Sequence, residues 1–477
     1  GYGIRRLVAE RAHSAREAVD IATKLLAEFG YFHDGRTYTF ADANEAWQLA
    51  IHQGNSWAAR KIHDNEVVYI PNNFMMDKVD LNDKETWRIE PKQVERAIKD
   101  GRHDAKNPIF NWRKVVAQES VRHERWNANR NVLAWKFLTG VEYNDPEKFP
   151  YSAVIDRKLG VKDAMALLRL HEDYIGQDQE LYHSKSEGIC RTTSHDSIVY
   201  NLTADPTLTE AWKTLGRPCQ SVFVPLYPLA GPAKGTAFTD PATATKEHFA
   251  GTPAMFDYRA DFTPHSVFSA SNNAIDYLRG DELAKRTQLI QAEENKFMKD
   301  RAAVTKKAAG LKGEERTKFL HDYNQKSYDH VLKIMQAENA RLMPNKVKIL
   351  ADVVKADGDG TVDFALLGAK GHEVLSANME ATRAGMSANQ LNSTRQWKNF
   401  APAEKMVYKD VNNDGITDVV FTFKAKDVTK GAVAGAAMDL WLYTQINGHR
   451  VTGFDVVPVE NDKVKMNKGA RDGKGLL

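Results

Sequence analysis

The chain has 477 residues, of which 42% are hydrophobic and 27% are charged. Its formal net charge of +3 at pH 7 excludes the strongly basic surface that drives nucleic-acid binding. No run of about 18 apolar residues is present, so we expect no membrane span, and the length favours two or three folded units.

The N-terminal region predicts one helix followed by a series of strands. Ser14 and Glu17 form a capping box, after which apolar residues follow helical spacing as far as a glycine. In the strand that begins at residue 46, Trp47, Leu49 and Ile51 alternate and should share one face. The predicted strands are 37–40, 46–51, 57–62 and 67–70, and the last two should form a hairpin through a polar turn.

The middle of the chain alternates between helical and β patterns. Residues 91–180 are charged and mostly helical in pattern, and residues 188–227 predict a second β region. Residues 281–342 form a long charged helical stretch that is interrupted near 310–313. Because heptads are not sustained there, we expect a pair of helices packed on a domain and not a coiled coil.

The sequence changes character at Pro344, and we place a domain boundary there. Residues 1–343 form the first predicted domain, and residues 344–460 predict an all-β sandwich because short strands recur at regular spacing. The polar and basic residues 461–477 are expected to be a disordered tail.

An acidic loop in the C-terminal region has the spacing of a calcium site. Oxygen donors occupy positions one, three, five and nine of the loop, a glycine occupies position six, and the residue at position seven can donate its carbonyl. The predicted calcium ligands are Asp410, Asn412, Asp414, Ile416 and Asp418.

Two features limit this interpretation of the loop. Phe421 replaces the glutamate usual at position twelve, and the flanking segments are strands, so a β-flanked loop fits better than a helix–loop–helix hand. An aspartate- and asparagine-rich turn without an ion is the alternative. The neighbouring turn 357–363 is equally compatible with a solvated hairpin and with a ligand role.

The two cysteines, Cys190 and Cys219, are too few for a disulfide framework, and neither lies in a CxxC pattern. Cys190 precedes Arg191, which could lower the pKa of a thiol. Its position at the start of an alternating segment is more typical of a core residue than of a nucleophile, because no base accompanies it.

Several segments in the same order resemble one family. The runs SAREAVDIATKLLAEFGY and FADANEAWQLAIHQGNSWAARKIHDNEVVYIPNNFMMDKVDLND, followed by GICRTTSHDSIVYNL and AWKTLGRPCQSVFVPLY, are similar to the dipeptidase A family of cysteine peptidases. These enzymes are N-terminal-nucleophile (Ntn) hydrolases, and the resemblance covers about residues 1–343. It implies an α+β fold with a four-layer αββα sandwich, incomplete at its N-terminus, to which the C-terminal all-β sandwich is added.

The resemblance also implies the chemistry. The family hydrolyses dipeptides or similar short peptides with a cysteine that is the first residue of the mature chain and whose own α-amine is the general base. The reaction passes through a thioester and needs no cofactor. Because this sequence starts with Gly1 and its first cysteine is Cys190, we expect the nucleophile to lie in an N-terminal segment or chain outside these residues.

Two site residues carry over from the family. Asn72 matches an asparagine that ends a strand and donates its amide to the oxyanion, and Arg191 matches an arginine near the substrate carbonyl or carboxylate. The alternatives are a turn-forming asparagine and a surface ion pair. We expect Asn73 to be incidental, because the family varies there.

Three functions stay open on the sequence. The first is a dipeptidase, the second is an Ntn amidase or acylase acting on N-acyl substrates, and the third is a non-catalytic calcium-dependent binding protein. A homo-oligomer is compatible with each of them. A low-affinity calcium loop suits millimolar calcium outside the cell, so we expect a periplasmic or secreted protein, with a cytoplasmic location as the alternative.

Overall fold

The computed structural model describes residues 2–171, 188–191, 194, 196–233, 264–386, 400–430 and 436–462. The chain forms two compact units. The first comprises residues 1–172, 187–189 and 200–209, and the second comprises residues 173–186, 190–199 and 210–477. Most of the predicted tail, residues 463–477, lies outside the described residues. The predicted division of the chain into residues 1–343, 344–460 and 461–477 stays a prediction.

The first unit begins with two helices, α1 (Tyr2–Ala9) and α2 (Ala15–Phe29). Ser14 caps α2 by accepting the Glu17 N–H at 3.1 Å, and the Glu17 carboxylate accepts the N–H of His13, so the predicted capping is confirmed with the return bond one residue earlier. Gly30 ends the helix with a φ of +66°, a left-handed conformation that favours glycine.

An antiparallel sheet forms the centre of the first unit. Its strands are β1 (Arg36–Ala41), β2 (Ala46–His52), β3 (Ser56–Ile62) and β6 (Trp87–Ile89), hydrogen-bonded in the order β1-β2-β3-β6. Trp47, Leu49 and Ile51 pack with α1 and α2 on one face, as predicted. Ala50 and Ala58 face a second cluster with helices on the opposite side. Both faces of the sheet are therefore covered.

The predicted hairpin between the third and fourth strands is wrong. Strand β4 (Glu66–Val68) is shorter than predicted and pairs with β8 (Ser152–Val154), while β6 takes the place beside β3. The two segments stay connected through an ion pair, since Arg60 Nη2 lies 2.8 Å from Glu66 Oε1 with both side chains about nine-tenths buried. The guanidinium also lies 5.3 Å from the Trp87 ring and 5.2 Å from the Tyr151 ring. The long-range pairing of β4 with β8 thus stands in place of the predicted hairpin pairing of β3 with β4.

The rest of the first unit is mainly helical, as predicted for residues 91–180 in the part that is described. A short pair, β5 (Val79–Asp80) with β7 (Ile109–Phe110), interrupts the helices. The helices are α3 (Pro91–Lys99), α4 (Trp112–Val116), α5 (Glu119–His123), α6 (Arg125–Thr139) and α7 (Val161–Leu168). Trp112 and Trp135 are fully buried in the cluster on the second face of the sheet.

The second unit contains a three-stranded sheet and three long helices. The sheet has the order β11-β10-β9, from β9 (Ser197–Asn201), β10 (Glu210–Thr214) and β11 (Val224–Leu226). The last two residues of β9 are assigned to the first unit. The helices are α8 (Pro264–Leu278), α9 (Gly280–Gly310) and α10 (Gly313–Leu342). The predicted break near residues 310–313 and the helical pair on either side of it are confirmed.

The C-terminal β pattern is found as two sheets that share one core. The first has the order β12-β14-β18-β17, and the second has the order β13-β20-β19-β15-β16. The strands are β12 (Val347–Ile349), β13 (Val354–Lys355), β14 (Thr361–Leu366), β15 (Arg383–Met386), β16 (Ala401–Pro402), β17 (Lys405–Lys409), β18 (Asp418–Lys424), β19 (Ala436–Ile446) and β20 (His449–Glu460). Phe364 and Phe421 from the first sheet and Leu442 and Val457 from the second are fully buried in the same cluster. The short helix α11 (Ala425–Val428) follows β18.

The described part of the chain is thus a mixed α and β structure, which agrees with the predicted α+β class. Among the described residues, none of the helices combines the length and the apolar character needed to cross a bilayer.

Candidate active site

Asn72 lies on the segment that follows β4, and helix α6 fixes its backbone. The Asn72 N–H donates to Asn127 Oδ1 at 3.0 Å. Asn127 is fully buried on α6 and donates from its own Nδ2 to the carbonyl of Val121 at 2.9 Å. The Asn127 side chain therefore bridges two backbone segments, and the exposed residue Asn72 is held at a defined point.

The side chain of Asn72 is oriented by Arg130. Arg130 is 6% exposed, donates from Nη1 to Asn72 Oδ1 at 2.9 Å and from Nε to the carbonyl of Gly188 at 3.2 Å. Its guanidinium also lies 5.2 Å from the centre of the Trp126 ring. A guanidinium can only donate, so the atom of Asn72 that faces it must be the amide oxygen.

This orientation turns the Asn72 amide nitrogen away from Arg130. Within the described part of the chain, Asn72 Nδ2 makes no hydrogen bond, and the residue is exposed. A neutral amide N–H of fixed direction at an exposed position can donate to a carbonyl oxygen or to an oxyanion. The geometry of this residue therefore suits a donor function.

Asn73 is bound locally instead. Its Nδ2 donates to the carbonyl of Phe74 at 3.1 Å and contacts the Met75 sulfur at 3.2 Å. The residue is half-buried, and these contacts hold the turn that leads into the core residues Met75 and Met76. The Asn73 amide nitrogen thus holds the local turn, whereas the Asn72 amide nitrogen can donate to another group.

Arg191 precedes β9 in the chain. Its N–H donates to Ser194 Oγ at 3.2 Å, and its carbonyl accepts the Ser194 N–H at 2.9 Å. The side chain is half-buried. Arg191 belongs to the second compact unit, whereas Asn72 belongs to the first. The role of Arg191 near the carbonyl or carboxylate of the substrate stays a prediction.

The sequence did not point to Asn127 and Arg130. Both lie in the region assigned only as charged and helical, and they face Asn72 because they occupy neighbouring positions along one side of α6. A spacing of three residues places two side chains on one helical face, but it does not show what that face meets. Only the folded structure shows that this face of α6 contacts the segment that carries Asn72.

The C-terminal loop lies between β17 and β18, so the predicted strands on both sides of it are confirmed. Asp410 Oδ2 accepts the N–H of Gly415 at 2.9 Å, and Asp414 Oδ1 accepts the N–H of Ile416 at 2.8 Å. Asn412 Nδ2 donates to Asp414 Oδ2 at 2.8 Å. The backbone N–H of Gly415, as the main cause, holds the pKa of the Asp410 carboxyl below its ordinary value.

Asp418 differs from the other loop residues because it is fully buried. Its Oδ1 accepts the N–H of Gly368 at 2.8 Å, and its Oδ2 accepts the N–H of Val411 at 2.8 Å. Among the described residues, the carboxylates of Asp410, Asp414 and Asp418 are not gathered within 4.8 Å of one another. Asp418 anchors the loop to the sandwich, and the outer residues carry the accessible oxygens.

The neighbouring acidic turn has its carboxylates engaged one by one. Asp359 lies 3.0 Å from Lys426 Nζ, and Asp363 accepts the Thr422 hydroxyl at 2.6 Å. Asp357 accepts the N–H of Asp462 at 2.8 Å. These separate partners favour the hairpin interpretation of this turn over a shared ligand role.

The sequence of the chain matches the model of one peptidase family. The model of peptidase family C69 matches residues 3–249, which is more than half of the sequence. The chain belongs to peptidase family C69. This finding supports the resemblance to dipeptidases, and the matched residues end before the C-terminal β region begins.

Curated relatives of this C69 protein are named as dipeptidases. The probable dipeptidase B of Lactococcus lactis subsp. lactis is 28% identical over 282 residues, which is 55% of this chain and 54% of that protein. The probable dipeptidase B of Streptococcus pyogenes serotype M6 is 30% identical over 164 residues, 33% of this chain and 31% of the relative. The probable dipeptidase A of S. pyogenes serotype M1 is 26% identical over 181 residues, 36% and 37% of the two chains. The chain thus matches about half or less of the length of these relatives.

Proposed function

We propose that the protein hydrolyses dipeptides or similar short peptides through a cysteine nucleophile of the Ntn class. The observation that carries this proposal is the match to peptidase family C69 over residues 3–249, together with relatives that are named as probable dipeptidases. The proposed fold of the catalytic region is the αββα sandwich of Ntn hydrolases. Helices cover both faces of the β1-β2-β3-β6 sheet, which is compatible with that arrangement.

In the proposed mechanism, Asn72 stabilises the tetrahedral oxyanion. The amide would donate from Nδ2, while Arg130 holds Oδ1 and Asn127 holds the backbone. A preorganised neutral donor pays no reorganisation cost during the reaction, which is the reason that such groups contribute strongly to rates. Arg191 is proposed to bind the carboxylate of the substrate through its guanidinium.

Neither cysteine of this chain suits the role of nucleophile. Cys190 is fully buried. Burial, together with the contact to Cys190, raises the pKa of the Cys219 thiol well above its ordinary range, so this sulfur carries little thiolate at neutral pH. We therefore place the proposed nucleophile, an N-terminal cysteine with its own amine as base, outside these 477 residues.

The test of the function is a comparison of substrate classes. The full-length protein is assayed against a panel of dipeptides and against N-acyl amides of matched size. We expect faster hydrolysis of dipeptides with a free amino terminus and loss of activity after treatment with a thiol alkylating reagent. Preference for N-acyl amides would support the amidase alternative, and inactivity on both panels would contradict the enzyme proposal.

The proposal includes a calcium ion at the loop 410–418. Asp410, Asn412 and Asp414 are accessible oxygen donors, Ile416 can add its carbonyl, and the ionised state of Asp410 at neutral pH favours a cation. Asp418 would hold the loop in place through its two bound amides. A loop of this kind would bind calcium weakly and would suit a periplasmic or secreted protein, which is the proposed location.

A further inference from the structure

The two cysteines lie side by side in the second unit. They are 29 positions apart in the sequence, yet their Sγ atoms lie within 4.8 Å of each other, and both are reduced thiols in the structure. Cys190 is fully buried and Cys219 is half-buried. A spacing this close in a chain with only two cysteines raises the question of whether they are linked.

The described residues next to each cysteine make defined contacts. Cys190 precedes Arg191, which exchanges two hydrogen bonds with Ser194. Cys219 lies in the segment between β10 and β11. The described neighbours of each cysteine therefore have defined partners, and the two sulfurs are already close in the reduced protein.

A buried polar network anchors the segment that carries Cys219 to helix α8. Arg217 Nη2 lies 3.1 Å from Asp276 Oδ2, and both side chains are almost fully buried. Gln220 Nε2 donates to Asp276 Oδ1 at 2.5 Å, and Arg217 Nη2 donates to Asn273 Oδ1 at 3.2 Å. These bonds flank Cys219 on both sides in the sequence, so its sulfur stays beside Cys190.

We infer that Cys190 and Cys219 form a disulfide when the protein is in an oxidising environment. A disulfide needs the two sulfurs to approach to about 2.05 Å, and in the reduced protein they already lie within 4.8 Å of each other. The bond would join the segment before β9 to the segment between β10 and β11. This inference does not depend on the proposed peptidase activity or on the calcium loop.

The reaction that forms the bond is thiol–disulfide exchange with a small disulfide such as oxidised glutathione. Cys219, the more accessible residue, loses its proton and attacks the small disulfide, which releases one glutathione thiol. Cys190 then loses its proton and attacks the mixed disulfide at Cys219, which releases the second. Two protein thiols lose two electrons in total, and the small disulfide gains them.

The environment of the pair favours a stable link over a reactive one. The high pKa of the Cys219 thiol makes exchange slow at neutral pH, and a buried bond is shielded from reducing thiols once it has formed. A link that closes a loop of about 30 residues restricts the unfolded chain, so the oxidised protein should melt at a higher temperature than the reduced one.

The test uses the intact protein in a glutathione buffer of oxidising composition at mildly alkaline pH. After acid quenching, denaturation and alkylation, mass spectrometry counts the alkyl groups. We expect no alkylation of either cysteine, a mass lower by two hydrogen atoms and a linked peptide pair that a reductant separates. Two alkylated cysteines, or glutathione adducts without a linked pair, would overturn the inference.

Two variants make the outcome independent of folding defects. Cys190→Ser should accumulate a glutathione adduct at Cys219, because the second step has no attacking thiol. Before exposure to glutathione, the melting temperature of this variant should not respond to reductant, whereas that of the oxidised wild-type protein should fall on reduction. In Cys219→Ser, the buried Cys190 should stay without an adduct in the folded protein. Equal adduct formation in the two variants would contradict the proposed order of attack.

Discussion

Asn72 illustrates how a single residue gains a defined role from its partners. Its identity in the sequence allowed two interpretations, a turn former and an oxyanion donor. Arg130 fixes the orientation of the Asn72 amide, because a guanidinium only donates and must therefore face the amide oxygen. The amide nitrogen then points away from Arg130. The neighbouring Asn73 has its amide bound to Phe74. Adjacent residues of the same type are thus distinguished by their contacts.

The positioning role of Arg130 leads to a prediction at the same scale. Arg130→Met removes the bond to Asn72 Oδ1, so the amide can rotate and present the wrong atom to the substrate. We expect kcat to fall about 10- to 100-fold with a smaller change in KM, because the loss concerns orientation in the transition state. Steady-state kinetics of the full-length protein on a dipeptide measures both constants.

The control for Arg130 is a cation on the exposed side of the same helix. Lys136→Met changes the charge of α6 equally and should leave kcat unaltered. Arg130→Lys should recover part of the lost rate, since an ammonium can still donate to Asn72. Equal effects of Arg130→Met and Lys136→Met would show that net charge, and not the bond to Asn72, is responsible.

At the scale of elements, Asp42 connects the β1–β2 turn to the start of α2. Its carboxylate accepts the N–H of Ala15 at 2.7 Å, that of Asn44 at 2.7 Å and that of Glu45 at 3.0 Å. Partial burial alone would raise the pKa of Asp42, but these backbone donors outweigh it and hold the pKa below its ordinary value.

The lowered pKa of Asp42 predicts a pH-dependent stability. Because the folded pKa lies below the unfolded value of about 3.9, the stabilisation is complete above that value and is lost as the pH falls through the folded pKa. Asp42→Asn should therefore lower the free energy of unfolding by about 1 kcal/mol at pH 7 and by much less near pH 2. Urea unfolding across this range measures the difference, with the exposed Asp34→Asn as control. A penalty that is independent of pH would contradict the assignment.

The loop 410–418 is the element at which the calcium proposal is tested. Addition of calcium in the range of about 0.1–10 mM should raise the melting temperature of the intact protein. Asp410→Asn keeps an oxygen for the Gly415 N–H but removes the charge, so it should abolish most of that rise. Asp359→Asn in the neighbouring turn is the matched control and should keep it. An unchanged melting temperature of the wild-type protein up to the highest concentration would leave the loop as a turn without an ion.

Elements were predictable from the sequence where the signal was local. The capped helix α2, the strands β1 to β3 and the pair α9 and α10 follow from caps, alternation and breaks in the pattern. The pairing of β4 with β8 did not follow, because its partner lies more than 80 residues away and the polar turn after β3 suggested a hairpin.

At the scale of the whole molecule, composition and the order of motifs indicated the fold class and the family better than any single residue did. The α+β class, the C-terminal β region and the family followed from patterns along the chain, and the C69 match supports the last of these. The parallel pairing of β13 with β20 and the contact of Arg130 with Asn72 depend on the folded path of the chain, so no local pattern encodes them. The sequence therefore indicated Asn72 as a candidate and did not identify the residues that orient it.

The most direct test of the proposed function is the turnover of full-length Asn72→Ala on a dipeptide. Removal of one oxyanion donor should lower kcat roughly 100- to 1,000-fold, while circular dichroism and the melting temperature stay close to those of the wild-type protein. Asn73→Ala, measured in parallel, should keep most of its turnover. A near-normal kcat for Asn72→Ala would contradict the assignment of Asn72 to the oxyanion site.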